Sequence, residues 1–292
     1  FVRWTEANAS ISTDSVYTFN PSANRSLTAV FDLDESFNSF PAAYSLATCD
    51  YQLDQWPDSA PAGSYPPNMV FVSMNQEDPT LSATISNTVT GAYNFTSRTR
   101  INGLNQNGFS FINTGNNNTN PGYVASTLGG ALLAIRTSGL NEAYVQWTAG
   151  TVTPNVKQYR IRLRYRVGDS GPFTDVLDSQ NNPVEYVRSA TAGDSQVLGP
   201  VALPATVLNK PYVQLLWQYY WTGVGSNARD ELRIDDIIIS RGPCQSLASG
   251  LWSSASTWSC GRVPTLCDLV DIQDRHTVTI IIPNAKAKRI QF

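Results

Sequence analysis

The sequence carries little charge. Aspartate, glutamate, lysine and arginine make up 15% of its 292 residues, and the formal net charge is −3. A general nucleic-acid binder is normally basic overall, so this balance argues against nucleic acid as a partner. No apolar run approaches the roughly 20 residues that a membrane helix needs, which argues against a direct membrane span.

Histidine and cysteine are scarce as well. The chain has one histidine, His276, and four cysteines, none in a Cys-x-x-Cys pair, which argues against a Cys/His zinc site. A Ser-His-Asp or Cys-His arrangement would have to use His276, and no Gly-x-Ser-x-Gly elbow occurs. No strand-like segment gathers carboxylates on one face, as a sugar-cleaving groove would need. We therefore expect no enzymatic activity.

Helical periodicity is missing too, and nearly every patterned segment alternates with period two, as β-strands do. Breaks rich in glycine, asparagine and proline separate these segments. The pattern predicts an all-β protein built as a sandwich. The strand-like segments include SVYTF, NMVFVSM, GFSFI, AYVQW, QYRIRLRYRV, YVQLLWQYYW, ELRIDDIII and HTVTIII.

The placement of tryptophan, glycine and proline residues and the spacing of the strand-like segments divide the chain into three segments, residues 1–33, 34–242 and 243–292. The middle segment holds the long strands and long loops. The two terminal segments are too short for us to expect either to close a core alone.

Each segment has a motif of its own. The motif of residues 1–33 consists of Phe1, Trp4, Ile11, Ser12, Tyr17, Thr18, Phe19, Leu27, Ala29 and Phe31. The motif of residues 243–292 consists of Trp252, Thr257, Trp258, Cys260, Gly261, Arg262, Val263, Pro264, Thr265, Asp268, Val270, Ile272 and His276, and the middle segment has stretches such as YRIRLRYRVG and RDELRIDDIIIS. With these motifs, residues 1–33 resemble the second half of a divergent internalin-B-type repeat, and residues 243–292 are similar to a repeat start common in secreted Bacteroidetes surface proteins. The middle segment resembles the jelly-roll modules of large Bacteroidetes surface proteins and secreted enzymes.

These resemblances imply a jelly-roll β-sandwich flanked by small β-repeat fragments. They also imply a secreted, cell-surface, multidomain protein that is a candidate for type IX secretion. This chain would be one part of that longer polypeptide. No signal peptide precedes FVRWTE, so we expect a processed chain or a piece of a longer one.

Two aspartates interrupt the apolar run in ELRIDDIIIS. Strict alternation would turn either Asp235 or Asp236 toward the core, where a carboxylate is costly unless it is paired or bound. One interpretation is that Arg233, Arg241 or loop amides satisfy the pair. The other is a calcium site, as jelly-roll modules often carry, with Asp235 or Asp236 at one end and Asp32 and Asp34 at the other. Calcium is the one cofactor that the sequence suggests.

A stripe of arginines follows one face of YRIRLRYRV. Arg160, Arg162 and Arg164 would stand about 7 Å apart along the strand. They could hold an anionic polysaccharide or an acidic partner. The alternative, which we favour, is pairing with acids such as Asp230, Glu231 or Glu185.

Aromatic residues offer a second carbohydrate-binding hypothesis. Trp56 and Tyr65 lie in a proline-rich loop, and Tyr220 is on the outward parity of YVQLLWQYYW. A solvent-exposed, coplanar pair among these three would indicate sugar stacking. Without such exposure they cover the end of the core.

The cysteines fit structural disulfides in an oxidising compartment. Cys244–Cys260 would close the start of the last segment and leave Cys49 and Cys267 over, whereas Cys260–Cys267 is the competing pairing. Both remain open at this point. Ser15 and Ser59 match a loose Asp-Ser motif for glycosylation in Bacteroidetes.

These observations predict a non-catalytic extracellular, cell-surface module for adhesion, glycan contact or surface assembly. Its partners would be glycans, other surface proteins and neighbouring domains of the same longer chain. The alternatives are a carbohydrate-binding module of a secreted hydrolase or nuclease, and a subunit of an extracellular filament, which would need unpaired edge strands.

Overall fold

A computed structural model describes most of the chain, in two compact units, Phe1–Ser39 and Phe40–Phe292. Within the first unit, β1 (Arg3–Glu6), β2 (Ala9–Ser12) and β3 (Leu27–Val30) form an antiparallel sheet in the order β2-β1-β3. The described residues are 3–6, 9–12, 17–18, 24–30, 40–60, 64–74, 99–113 and 128–292.

The second unit is built from β-strands, with short 3₁₀ helices at Ala205–Val207 and Ala255–Thr257. Among the described residues, no helix is long and apolar enough to cross a membrane. In chain order the strands are β4 (Tyr44–Ser45), β5 (Tyr51–Leu53), β6 (Met69–Met74), β7 (Thr99–Gly103), β8 (Phe109–Asn113), β9 (Leu128–Arg136), β10 (Tyr144–Thr153), β11 (Tyr159–Val167), β12 (Thr174–Asp175), β13 (Glu185–Val187), β14 (Ser195–Ala202), β15 (Val213–Trp221), β16 (Glu231–Ser240), β17 (Cys244–Gln245), β18 (Gly250–Leu251), β19 (Leu269–Asp271), β20 (Val278–Thr279) and β21 (Arg289–Gln291).

Strands β4 to β16 form a jelly roll. The first sheet has the order β14-β10-β16-β8-β7, with β5 beside β16. The second sheet has the order β12-β11-β15-β9-β4, with β13 beside β11 and β6 beside β9. The chain changes sheet at every step from β8 to β11 and again from β14 to β16, which is the strand exchange of a two-sheet jelly roll. The predicted all-β class and jelly-roll sandwich are confirmed.

The core lies between the two sheets and follows the period-two pattern. On β15, Val213, Leu215, Trp217 and Tyr219 are buried. Trp217 meets Trp147 of the first sheet edge-to-face, with ring centroids 6.3 Å apart. Large aromatic side chains at this interface bury much apolar surface, which is the main source of stability for the sandwich.

Residues 243–292 wind into a small parallel coil. Strands β17, β19 and β21 pair in parallel, and β18 and β20 form a second parallel ladder. The coil has its own apolar cluster, in which Trp252 and Trp258 pack edge-to-face at 5.1 Å. It nevertheless belongs to the same compact unit as the sandwich.

Two disulfides are present. Cys244–Cys260 closes the start of the coil, so of the two pairings that the sequence left open, the structure has the first. Cys49 and Cys267 pair with each other and join the turn after β4 to the coil. The last fifty residues are thus attached covalently to the sandwich.

Candidate functional site

Strand β16 contains a bulge at its two aspartates. Thr148 of β10 pairs with Asp235, whereas Gln146, two residues earlier, pairs with Ile238. One extra residue of β16 therefore stands in the ladder, and Asp236 adopts the left-handed conformation with φ 46°. The expectation that one aspartate points into the core is wrong, because the bulge shifts the alternation by one residue.

Both aspartates consequently lie on the outer face of the first sheet. Asp235 is 6% exposed and accepts a hydrogen bond from Arg233 Nη1 at 3.0 Å, one of the partners expected from the sequence. Asp236 is exposed, and its carboxylate accepts from Thr148 Oγ1 at 3.1 Å. The side chains of β16 that join the core are Leu232, Ile234, Ile237 and Ile239.

Burial raises the pKa of Asp235 above its usual value, and the charge of Asp236 adds to that effect. The backbone N–H of Asp236 and the Arg233 guanidinium act in the opposite direction without cancelling it. This face therefore gathers carboxylates, contrary to our expectation, since the bulge brings two consecutive residues to one side.

The outer face of the first sheet carries many polar side chains beside the apolar Ile112, Val197 and Ile238. It combines carboxylates, amides, hydroxyls and a guanidinium, which together donate and accept hydrogen bonds in many directions. We call it the polar face, and its residues are Gln52, Asn102, Ser110, Gln146, Thr148, Glu231, Arg233, Asp235 and Asp236.

Glu231 organises one end of the polar face. Its carboxylate accepts from Ser110 Oγ at 2.6 Å and from Asn102 Nδ2 at 3.0 Å. Another polar atom of this cluster, Asn102 Oδ1, is buried, and no described residue donates a hydrogen bond to it. A buried acceptor without a donor is costly and rare.

The arginine stripe on β11 is paired with acidic side chains. Glu185 binds Arg160 at 2.6 Å and Arg162 at 2.7 Å. Asp175 binds Arg162 at 2.9 Å and Arg164 at 3.0 Å. Pairing with Glu185 had been expected, while Asp175, on the two-residue strand β12, had been missed. The arginine charges are therefore engaged by acids within the same sheet.

The other two acids expected beside the stripe lie elsewhere. Asp230 is buried and accepts from the backbone N–H groups of Asn155 at 2.6 Å and Tyr159 at 2.9 Å. Glu231 belongs to the polar face. Their assignment to the stripe was wrong, because Asp230 accepts backbone N–H groups at the start of β11 and Glu231 lies on β16 of the other sheet.

Replacing Glu185 with glutamine should lower the free energy of unfolding by about 2–3 kcal/mol. Burial alone raises the pKa of Glu185, but hydrogen bonds from Tyr220 and Arg162 outweigh it, so the pKa lies below its usual value and the group is charged at neutral pH. The neutral variant would leave two arginines without that charge. Urea unfolding measures the change.

Glu142→Gln is the control, because the Glu142 carboxylate accepts a side-chain hydrogen bond from Tyr144 alone among the described residues. It should lose much less stability. Equal losses in the two variants would contradict the assigned role of Glu185.

The three aromatic candidates form no exposed platform. Trp56 and Tyr65 are half-buried and pack edge-on against Phe71, at centroid distances of 6.2 and 5.8 Å. Tyr220 is 6% exposed and donates its hydroxyl to Glu185 at 2.7 Å. Phe173 packs with Tyr220 in a second apolar cluster on the outer face of the second sheet. The hypothesis that these residues form a coplanar sugar platform is not supported by their geometry.

The candidates for calcium binding and glycosylation lie only partly within the described residues. Asp32, Asp34 and Ser15 lie outside the described residues. Among those that are described, no group of three or more histidine, cysteine, aspartate or glutamate side chains could hold a metal ion. The calcium site stays a prediction. Ser59 is exposed in a turn, accessible to modification.

His276 is engaged in a structural contact. Its Nδ1 lies 2.9 Å from Ser246 Oγ, and the same oxygen accepts the backbone N–H of Gln273 at 2.9 Å. Ser246 is buried. The pair therefore holds two turns of the coil together, in keeping with the interpretation of His276 as a structural polar residue.

Comparisons with known proteins give distant structural similarities. No protein-family model and no curated protein matches the chain. A xylan-binding module, CBM15, superposes with a TM-score of 0.34 and 11% identity, over 66% of this chain and 96% of that one. The N-terminal cellulose-binding domain of β-1,4-glucanase C from Cellulomonas fimi superposes with a TM-score of 0.29 and 11% identity, over 63% of this chain and 98% of that one. The K2 cleaved adhesin domain of Lys-gingipain superposes with a TM-score of 0.28 and 10% identity, over 67% of this chain and 99% of that one.

Proposed function

We propose that this chain is a non-catalytic, extracellular module that contacts glycans through the polar face. The observation that carries the proposal is the set of amide, hydroxyl and carboxylate groups that strand pairing gathers on this face, where Gln52 and Asp236 are exposed. Sugar hydroxyls both donate and accept, so they match such groups. The two disulfides support an oxidising, extracellular location.

The polar face is a better candidate than the arginine stripe. An anionic polysaccharide would have to compete with Glu185 and Asp175 for arginines with which these acids already pair. On the polar face, by contrast, Gln52 and Asp236 are exposed and Gln146 is half-buried. These side chains are available to a ligand without any rearrangement of the sheet.

Glycan arrays followed by isothermal titration calorimetry test the proposal. The variant combines Gln52→Ala, Gln146→Ala and Asp236→Asn, and asparagine suits the left-handed conformation at 236. We expect at least a tenfold loss of affinity for any glycan that the wild type binds, from about 1 kcal/mol per lost hydrogen bond. Gln180→Ala, in an exposed turn, is the control. No binding by the wild type to neutral or acidic glycans would refute the proposal.

We further propose that residues 243–292 begin a β-rich repeat domain of a longer surface protein. The two parallel ladders support this, since a chain that returns to the same ladder after each turn is organised like a solenoid. Such units gain stability by stacking on their neighbours. The attachment to the sandwich through Cys49–Cys267 fits a capping arrangement.

A further inference from the structure

Three residues form a row across the polar face. Gln146 of β10, Ile238 of β16 and Gln52 of β5 are paired in register, so they stand side by side on the outer side of the first sheet. Neighbouring strands lie about 4.8 Å apart, which places the two glutamines about 10 Å from each other, one on each side of Ile238. Within the part of the chain that the structure describes, neither glutamine side chain has a hydrogen-bond partner. Two free amides beside a half-buried apolar side chain suit a sugar ring, which has an apolar face and hydroxyls at its edges.

Asp236 lies beside this row because of the β-bulge. It is exposed, and its carboxylate accepts from Thr148 Oγ1 at 3.1 Å. No lysine or arginine among the described residues forms an ion pair with it. Its neighbour Asp235, by contrast, is paired with Arg233 at 3.0 Å. The carboxylate of Asp236 is therefore an exposed negative charge that no described cation offsets.

Other charges of the outer face lie far from Asp236. Glu231 precedes it by five residues on β16, roughly 15 Å along the strand. Arg100, on the same side of β7 as Asn102, pairs with Ile112 of β8 and is thus level with Glu231. Exposed charges at such separations are largely screened at physiological ionic strength, where the Debye length is about 8 Å. A ligand at the row is therefore affected mainly by the charge of Asp236.

We infer that Asp236 makes the polar face selective for neutral glycans over acidic ones. The inference rests on the proposed function of this face and names the class of its ligand. A hydroxyl of a neutral sugar donates a hydrogen bond to the Asp236 carboxylate. A uronate or sulfate group at the same place would bring a second negative charge close to the first, and the two would repel each other. Asp236 is thus a specificity-determining residue.

Isothermal titration calorimetry of the whole protein at low ionic strength tests the inference with two matched pairs of polysaccharides. Mixed-linkage β-glucan and galactomannan are the neutral probes, and the same polymers oxidised at C6 to uronates are the acidic ones. Each pair therefore differs in charge but not in linkage. We expect at least one neutral probe to bind and its oxidised form to bind about tenfold more weakly, because like charges close together at a protein surface repel. Added salt should reduce that ratio.

Asp236→Asn removes the charge and suits the left-handed conformation of the bulge. In this variant the oxidised polymer should bind about as tightly as its neutral parent, because the repulsion is gone. Asp274→Asn is the matched control, since it removes the same charge from a side chain of the coil that is 94% exposed. It should leave the ratio of the two affinities unchanged.

Two kinds of failure are distinguishable. Wild-type protein that binds an oxidised polymer as tightly as its neutral parent, or more tightly, would overturn the inference while leaving glycan contact intact. So would a ratio that Asp236→Asn does not change, or that Asp274→Asn changes equally. Absence of binding to all four polymers would refute glycan contact itself, and the inference with it.

Discussion

Asp268→Asn should lower the free energy of unfolding by about 3–5 kcal/mol, the usual cost of breaking a buried ion pair from one side. The Asp268 carboxylate is fully buried between Arg262, at 2.6 Å, and Arg241, at 3.0 Å. It also accepts the backbone N–H and the hydroxyl of Thr265, at 2.7 and 2.8 Å. The neutral amide would leave the buried Arg241 and the half-buried Arg262 without that counter-charge where the sandwich meets the coil.

The same carboxylate should make stability depend on pH in acid. Burial by itself would raise the pKa of Asp268, but the hydrogen bonds from Arg262 and Thr265 outweigh it and hold the pKa below its usual value. A carboxyl with a lowered pKa in the folded state stabilises that state above its ordinary pKa of about 4, and this contribution is lost as pH falls through the lower folded value. We expect the difference between wild type and Asp268→Asn to shrink below pH 4.

Urea unfolding between pH 2.5 and 7 measures both effects. Asp274→Asn is the matched control, since the Asp274 side chain is 94% exposed and lies 3.8 Å from Arg275. It should leave stability within about 0.5 kcal/mol of the wild type. A loss of less than 1 kcal/mol in Asp268→Asn at pH 7 would show that this contact does not hold the coil to the sandwich.

Loss of the Cys49–Cys267 disulfide should lower the free energy of unfolding nearly as much as Asp268→Asn does. The two cysteines are 218 residues apart, so the bond closes most of the chain into one loop. Loop-entropy arguments give about 5 kcal/mol for a loop of this length, and measured values usually fall between about 2 and 4. We expect Cys49→Ser combined with Cys267→Ser to unfold at lower urea concentration.

Cys244→Ser combined with Cys260→Ser is the matched comparison, because that bond closes a loop of only 16 residues. The chain-entropy argument gives about 3 kcal/mol there. Proteolysis should also distinguish the pairs, since loss of Cys49–Cys267 frees the coil from the turn after β4. If the short-loop variant were the less stable one, the role assigned to the long-range bond would be contradicted.

The fold could largely be predicted from the sequence because it follows from the alternation of apolar and polar residues along each strand. Val213, Leu215 and Trp217 alternate along β15 as a half-buried strand requires, and the core follows that parity. Gln218 and Tyr220 have the outward parity, yet both are buried, because Phe173 returns from a distant loop to pack with Tyr220 on the outer face. Such long-range covering leaves no periodic signal.

The polar face was missed for a related reason. Its residues come from β5, β7, β8, β10 and β16, and only the pairing of strands brings them together. One local signal did exist. Two consecutive aspartates inside an apolar strand cannot both avoid the core unless the alternation shifts, and aspartate tolerates the left-handed conformation of a bulge. Asp175, likewise, could not be matched to Arg164 without the register of β11 and β12.

The most direct test of glycan contact through the polar face is NMR shift mapping of the isotopically labelled protein with soluble xylan, a β-glucan and an acidic polysaccharide. We predict that the largest amide shifts produced by a bound glycan fall at Gln52, Gln146 and Asp236, with the arginine stripe unchanged. Shifts concentrated at Arg160 and Arg162, or no shifts with any polysaccharide, would contradict the assignment of this surface as the binding site.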